Sequence, residues 1–353
     1  MLVRLRARLG FTSAEWARLA ALYLAIGLLH ACGCALLLLH SSRYPALVGL
    51  GFAAYLLGLR HAFDADHIAA VDDTVRYLLQ QGKRPLGLGF FFSLGHSTIV
   101  FLLSVSLIVS AATVEHDLPW LRDFGGVIGS VVSALFLWLI GILNLLVLLD
   151  LLKVWRGARI AKHDHAHLEE LLGRRGLINR LFGSRLRQFI RHSWHMYPLG
   201  LLFGLGFDTA SEVGLLVMTA GAAAANAPAA AVLALPMLFA AGMCAVDTTD
   251  GVLMVKAYDW AFVNPLRKIF YNVTITGLSV AVALLIGTIE LAQVAIGDQQ
   301  GHGGFLDWLG RLDLGTLGYG VVALFLLAWG GSAALWKWGR FEERHGAHRS
   351  NPH

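Results

Sequence analysis

Apolar residues run along this chain in long, nearly uninterrupted blocks that are separated by short polar segments. Eight of these blocks reach the roughly 20 residues that a helix needs to cross the hydrocarbon core of a bilayer. Helices are favoured over a membrane barrel, because barrel strands alternate apolar and polar residues and these blocks do not. The pattern predicts an all-α polytopic membrane protein with eight transmembrane helices, at residues 18–39, 46–70, 86–112, 125–151, 197–224, 229–256, 270–297 and 315–338.

Lysine and arginine are distributed very unevenly between the predicted loops. Of the 28 basic residues, 24 fall in the two tails and in the alternate loops on one side of the membrane. The opposite loops hold only Arg43, Arg122 and Arg311. Because basic loops stay in the cytoplasm, both the N- and the C-terminus are expected to be cytoplasmic. The long cytoplasmic loop at 152–196 then separates an N-terminal membrane half (1–151) from a C-terminal half (197–353).

Composition agrees with a membrane protein and narrows the function. The chain is 57% hydrophobic and 14% charged, with a mean hydropathy of +0.64, whereas soluble domains carry about 25% charged residues. The net charge of +5 comes from cytoplasmic loops, so it indicates topology and no nucleic-acid partner. The three cysteines, Cys32, Cys34 and Cys244, form no CxxC pair, which argues against a disulfide scaffold or a thiolate zinc site.

A short charged stretch, RHAFDADHI at residues 60–68, lies inside the otherwise apolar second span. An aspartate near the middle of a bilayer costs about 2.5–3.5 kcal/mol on insertion scales, so ionisable residues in a span usually have a function. Two imidazoles and two carboxylates form a ligand set for a borderline divalent cation. The stretch predicts a metal site within the membrane, built from His61, Asp64, Asp66 and His67 with Arg60 beside them.

Three further spans carry polar clusters at a similar depth, between the midplane and the inner leaflet. Their sequences are FFFSLGHST at 90–98, LGFDTASE at 205–212 and GMCAVDTTD at 242–250. Four independent helices that place polar groups at one level favour a shared site. The additional candidates are His96, Asp208, Glu212, Asp247 and Asp250.

A regular helix does not place His61 and Asp66 on one face, because five residues correspond to about 140° of rotation. If His61, Asp66 and His67 bind one ion, span two must be locally unwound or bulged, as helices often are at transporter midplane sites. Simpler roles remain as alternatives. They are a hydrogen bond from His96 to a neighbouring carbonyl, and proton sharing within the pairs Asp208–Glu212 and Asp247–Asp250.

The cytoplasmic loop contains three closely spaced histidines, His163, His165 and His167. Such a composition is typical of segments that sample metal ions. The alternative is a solvated loop whose histidines bind nothing specific.

The four clusters, in this order, resemble the signature motifs of the NiCoT family of nickel/cobalt permeases. The resemblance covers nearly the whole chain, since eight spans with cytoplasmic termini are also the family's pattern. It implies high-affinity uptake of Ni²⁺, with or without Co²⁺, by secondary, alternating-access transport across the bacterial cytoplasmic (inner) membrane. By position it implies His61, Asp66 and His67 as metal ligands and His96 and Asp64 as further ligands. It also implies supporting, proton-handling or additional ligand roles for Arg60, Phe63, Asp208, Glu212, Asp247 and Asp250, with the bulky Phe63 narrowing the pocket.

Two other functions stay open on the residues alone. Efflux of nickel or cobalt is one, because a ligand set carries no direction. An intramembrane zinc-dependent hydrolase is the other, because His and Asp also hold catalytic zinc. No HExxH motif is present and the acids outnumber what a three-ligand zinc site needs, so we expect no enzyme. With no GxxxxGK[ST] phosphate loop, we expect no ATPase subunit. The expected partners are a divalent transition-metal ion, as transported substrate, and the lipid bilayer, with no catalytic cofactor.

Overall fold

Every regular element in the described part of the chain is helical, which confirms the all-α prediction. The computed structural model describes residues 10–109, 127, 130–146, 148–149, 152, 190–205, 209–261, 265–296 and 304–338. The two termini, Asp208 and the three loop histidines (His163, His165 and His167) lie outside these residues. The helices are α1 (Ser13–Ser41), α2 (Ala46–His61), α3 (Ala65–Gln80), α4 (Leu88–Val109), α5 (Ser130–Leu146), α6 (Met196–Phe203), α7 (Ala210–Ala224), α8 (Ala229–Val232), α9 (Ala234–Ala261), α10 (Pro265–Ile296), α11 (Phe305–Gly310) and α12 (Leu314–Trp338).

Within the described residues, four helices are long and apolar enough to cross a membrane. They cover Ser13–Ser41, Leu88–Ile108, Ala229–Ala257 and Thr276–Ile296, and the bent pair α2–α3 makes a fifth span if it is taken as one. Shorter apolar helices, at Ser130–Leu146, Ser211–Ala224 and Thr316–Phe325, match the fourth, fifth and eighth predicted spans. A multi-pass membrane architecture follows, while the count of eight and the cytoplasmic termini stay predictions.

The second span is broken between His61 and Ala65, within the stretch for which a shared ion at His61, Asp66 and His67 predicted a break. Helix α2 ends at His61, α3 begins at Ala65, and the two axes meet at 52°. The helix ends in tight turns, in which the Phe63 amide bonds the Arg60 carbonyl and the Asp64 amide bonds the His61 carbonyl. Asp64 then takes an extended conformation and begins α3. The chain therefore re-enters a helix in a new direction within three residues.

The fifth span was expected to be one helix over 197–224, and this is wrong. Helix α6 ends at Phe203, and α7 begins only at Ala210. The intervening sequence contains Gly204 and Gly206, and glycine is about 1 kcal/mol less favourable than alanine in a helix. Both membrane halves thus contain a span that is interrupted beside the polar clusters.

Two close helix crossings hold these broken spans in place. A Cβ at Gly58 of α2 would overlap the backbone carbonyl of Phe239 on α9, and one at Gly200 of α6 would overlap the carbonyl of Phe92 on α4. Only glycine allows backbones to approach so closely. The first half of each broken span is therefore fixed against a helix that carries another polar cluster.

An ion pair joins the start of α1 to the segment between α3 and α4. Thr12 and Glu15 form a capping box at the start of α1, and Arg84 bonds both oxygens of Glu15 at 2.8 and 2.9 Å. The Phe11 ring packs beneath the Lys256 ammonium at 3.7 Å. Contacts from α3–α4 and α9 thereby fix the start of α1.

Candidate metal centre

Three buried histidines meet at the break in the second span. His61 is the last residue of α2, His67 lies in the first turn of α3, and His96 lies on α4. Their rings have centroid separations of 4.6, 4.8 and 4.9 Å. One nitrogen from each lies within 4.8 Å of the other two. On an unbroken helix the six residues from His61 to His67 would correspond to about 240° of rotation, so the break brings the two together.

The Nε2 atoms of two of the rings face each other, and the Nε2 atom of the third is buried. His61 Nε2 lies 3.0 Å from His96 Nε2, and His67 Nε2 has no hydrogen-bond partner among the described residues. The rings of Phe92 and Phe239 pack against His67 and His61 at 4.8 and 5.6 Å. This apolar wall limits access of water to the nitrogen atoms, which strengthens electrostatic interactions within the cluster.

Carboxylates hold the opposite edges of two of these rings. Asp64 Oδ2 lies 2.8 Å from His61 Nδ1, and His67 Nδ1 lies 3.2 Å from Asp247 Oδ2. The Ser93 hydroxyl donates to the same Asp247 oxygen at 2.5 Å. A carboxylate that is hydrogen-bonded at Nδ1, as Asp247 is at His67, favours the tautomer whose Nε2 lone pair is available to a metal, as is common for metal-binding histidines.

Glu212 joins the cluster on its Nε2 side. Its Oε1 lies 2.8 Å from His96 Nε2 and 3.9 Å from His61 Nε2, and its side chain is fully buried. The Thr209 hydroxyl donates to Glu212 Oε2 at 3.0 Å and so fixes the second oxygen. The group of three imidazole nitrogens from α2, α3 and α4 is therefore bordered, at His61 and His96, by one carboxylate oxygen from α7.

The remaining predicted residues lie around this cluster. Asp66 is half-buried and is not part of the group of histidines. The Arg60 guanidinium lies 2.5 Å from Ser211 Oγ, 3.6 Å from Asp64 and 3.3 Å from Asp313.

The Phe63 ring stacks on Tyr319 of α12 at 5.6 Å, so its described packing is against the last span. Asp250 follows Asp247 on α9 by three residues.

Sequence reasoning did not single out Ser93 or Thr209, although each orients a carboxylate of the cluster. Ser93 precedes His96 by three residues and Thr209 precedes Glu212 by three, so each lies on the same helix face as a predicted site residue or beside its start. That spacing within the FFFSLGHST and LGFDTASE motifs is the signal that would have identified them.

Imidazole nitrogens with a carboxylate favour first-row transition metals such as nickel, cobalt and zinc over magnesium or calcium, which prefer oxygen ligands. A family model described as "High-affinity nickel-transport protein" matches residues 47–335, which is most of the chain. The chain belongs to this family. The resemblance inferred from the four motifs is therefore confirmed.

Named relatives cover nearly the full length. The chain is 51% identical over 344 residues to the nickel transporter NicT of Mycobacterium tuberculosis, covering 94% of this chain and 92% of that protein. It is 50% identical over 317 residues to the nickel transporter NixA of Staphylococcus aureus, with 90% and 94% covered. It is 43% identical over 338 residues to the cobalt transport protein NhlF of Rhodococcus rhodochrous, with 91% and 93% covered. No solved structure matches the chain. The family and these relatives are transporters, so the chain is a transporter and not an enzyme, and the zinc hydrolase alternative is excluded.

Proposed function

We propose that this transporter takes up Ni²⁺, and also Co²⁺, across the bacterial cytoplasmic membrane by secondary transport. The observation that carries the proposal is the convergence of three buried histidine nitrogens at the break in the second span. The names of the relatives support it, since two are nickel transporters and one transports cobalt. The two metals differ little in their preferred ligands, so this donor set suits both.

The proposed ligands are the Nε2 atoms of His61, His67 and His96, with Oε1 of Glu212 as a fourth. Asp64 and Asp247 act on the opposite ring edges and orient two of the imidazoles. This differs from the ligand set that the resemblance implies, because Asp66 is replaced by Glu212 and Asp64 has a supporting role. Neutral imidazoles contribute no charge, so the Glu212 carboxylate offsets part of the charge of a divalent ion.

For topology we propose eight spans with both termini in the cytoplasm. The distribution of 24 among 28 basic residues supports it, and so does the match of three short apolar helices to the remaining predicted spans. The loop histidines at 163, 165 and 167 would then lie on the cytoplasmic side, where they would meet the released ion.

The proposed transport cycle is alternating access around the broken helices. On the side of the predicted outer loop that carries Asp313, Arg60 bridges Asp64, Ser211 and Asp313. Entry of a cation requires this guanidinium to move, because like charges repel and Arg60 lies beside the site. An inside-negative potential favours inward movement of a divalent ion by about 4.6 kcal/mol per 100 mV, twice the value for one charge.

Uptake of radioactive nickel by cells tests this function, with His96→Ala and the control His40→Ala. His40 lies at the end of α1, where its Nδ1 contacts the Leu36 carbonyl at 2.9 Å within its own helix. We expect strong uptake by the wild type, competition by cobalt, loss of uptake in His96→Ala and normal uptake in His40→Ala. Equal uptake by both variants would contradict the site, and lower nickel content in wild-type cells than in cells without the protein would indicate efflux.

A further inference from the structure

A second buried polar cluster lies on α3, beyond His67 toward the predicted cytoplasmic end. Asp72 and Asp73 are fully buried, and Arg76 is 1% exposed. The Arg76 guanidinium donates to Asp72 Oδ2 at 2.8 Å, and the Ser279 hydroxyl of α10 donates to the same oxygen at 2.6 Å. Asn144 of α5 donates its amide N–H to Asp73 Oδ1 at 2.8 Å. Three helices therefore enclose two adjacent carboxylates.

The charges in this cluster do not balance. Two carboxylates face one guanidinium, which interacts electrostatically with both. The Asn144 amide and the Ser279 hydroxyl carry no charge. A buried charge without a partner is unfavourable, so among the described side chains the cluster has one negative charge in excess.

The hydrogen bonds show where a compensating positive charge belongs. Within the described residues, three acceptor atoms of the cluster are buried and have no hydrogen-bond partner: Asp72 Oδ1, Asp73 Oδ2 and Asn144 Oδ1. The last two belong to groups already joined, because Asn144 Nδ2 donates to Asp73 Oδ1 at 2.8 Å and to the Asp73 carbonyl at 3.2 Å. A proton on Asp73 Oδ2 supplies the missing donor and neutralises the second carboxylate.

We propose that the Asp73–Asn144 pair is a proton-binding site, and that its proton enters the cell together with nickel. The inference rests on the proposed nickel uptake and adds the coupling ion. Asp73 follows His67 by six residues on one helix, a rise of about 9 Å. Movement of α3 during the transport cycle therefore moves a metal ligand and the proton carrier as one body. We take both ions to move in the same direction, because the two sites are carried by the same helix and the bound proton offsets the excess negative charge beside it.

Other charged groups border the pair without replacing the proton. Helix α9 contributes Asp250, which interacts electrostatically with Asp72, and Asp247, which is held by His67 and Ser93. These carboxylates add negative charge and make a neutralising cation or proton more favourable.

The described parts of α4 and α10 contribute His96, within the metal cluster, and Glu290, which accepts from Ser133 of α5 at 3.0 Å. Helix α12 begins after Asp313, which faces Arg60.

The experiment uses the full-length protein in liposomes that contain a pH-sensitive dye, with the membrane potential clamped by potassium and valinomycin. Nickel is added at a fixed external pH, and the pH of the lumen is varied. We expect nickel influx to acidify the lumen of wild-type vesicles. For one proton per nickel ion, the nickel accumulation ratio rises about tenfold for each pH unit of imposed gradient.

Asp73→Asn is the decisive variant, because its amide forms a complementary pair with the Asn144 amide and preserves the packing. We expect nickel still to enter under the electrical potential, with no luminal acidification and no dependence on the pH gradient. Asp73→Glu retains a proton carrier and is expected to keep the dependence. Glu290→Gln, which alters another buried and hydrogen-bonded carboxylate between α5 and α10, is the matched control and is expected to behave as the wild type.

Failure of coupling and failure of transport give different results. Wild-type nickel influx without a change in luminal pH would overturn the coupling and leave the uptake function standing. Luminal alkalinisation would overturn the shared direction, and dependence on a sodium gradient would overturn the identity of the ion. Retained pH dependence in Asp73→Asn would overturn the assignment to this pair. The absence of any nickel influx would overturn the proposed function itself, and the coupling with it.

Discussion

Helix α3 carries two buried polar clusters that differ in the atoms they present. Near its start, His67 joins His61 and His96 in a group of three imidazole nitrogens, and Glu212 borders that group at His96. Farther along, Asp72 and Asp73 meet side chains whose acceptor atoms are all oxygen, and a guanidinium is already bound there. Imidazole suits nickel and cobalt, whereas carboxylate and amide oxygens suit hard cations and protons.

The difference shows how one helix can serve two ions. The histidine cluster draws residues from both interrupted spans, so its geometry depends on the breaks. The aspartate cluster lies within an unbroken part of α3 and is fixed by α5 and α10. Changes to the first cluster should therefore alter metal binding, and changes to the second should alter coupling with metal binding retained.

The largest effect is expected from Gly58→Ala, which should separate α2 from α9 and disrupt the histidine cluster. In Gly58→Ala the new Cβ meets the Phe239 backbone, which has no rotamer to adopt, so we expect little folded protein. Gly49→Ala on the same helix is the control, since a Cβ there meets nothing within 4 Å and alanine favours a helix by about 1 kcal/mol. Size-exclusion chromatography and thermal unfolding in detergent measure both. Equal recovery of folded protein from the two variants would contradict the tight crossing.

A smaller effect is expected from Asp247→Asn, which keeps the shape of the side chain but removes the charge that faces His67 Nδ1. Loss of such a supporting carboxylate costs about 10–100-fold in metal affinity. Titration of the purified protein with nickel checks this, and proton coupling per transported ion is expected to stay unchanged. Unaltered nickel affinity would show that Asp247 does not orient the ring.

Ser93→Ala removes the hydrogen bond to Asp247. It should weaken nickel binding by about 3–10-fold, corresponding to roughly 1 kcal/mol for one hydrogen bond. The serine orients the Asp247 oxygen that faces His67. Ser104→Ala is its control on the same helix, because the buried Ser104 hydroxyl bonds only the Val100 carbonyl among the described residues. Nickel titration of both variants should give a reduced affinity for Ser93→Ala alone. Equal affinities would remove Ser93 from the account.

The smallest expected effect is that of Asp313→Asn at the outer contact of Arg60. The oxygen of the new asparagine can still accept from the backbone N–H of Thr316, which lies 2.9 Å from Asp313 Oδ2. The change therefore removes mainly the negative charge that faces Arg60. The Asp313 side chain is 53% exposed, and exposed ion pairs contribute about 0.2–1 kcal/mol. We expect a change in nickel uptake rate of less than about fivefold that shrinks at high salt. A change larger than this would assign Asp313 a direct role in transport.

The spacing of His61 and Asp66 was enough to predict a break in the second span, because a regular helix separates these side chains by about 140°. The break is present, but the residue that it brings to His61 is His67 and not Asp66. The spacing was not enough to predict which carboxylates lie close to the histidines. Asp66 lies between two cluster residues in sequence and yet lies outside the cluster, while Glu212 reaches it from another half of the chain. That choice depends on the 52° bend and on the rotation of α7, which no local pattern specifies.

The sequence also placed the end of the second span near residue 70, although α3 continues to Gln80. Arg76 was counted among the basic residues of the cytoplasmic loop after this span, and Asp72 and Asp73 were not considered. Their burial depends on Asn144 and Ser279, which lie some 70 and 200 residues away. Complementary polar groups on distant helices were the information that the local pattern lacked.

Nickel K-edge X-ray absorption of the purified, nickel-loaded protein tests the central claim most directly, because imidazole rings give a countable multiple-scattering signal. The account predicts three imidazoles bound to nickel in the wild type and two in His96→Ala. A nickel ion surrounded by oxygen ligands, or an imidazole count that His96→Ala leaves unchanged, would contradict it.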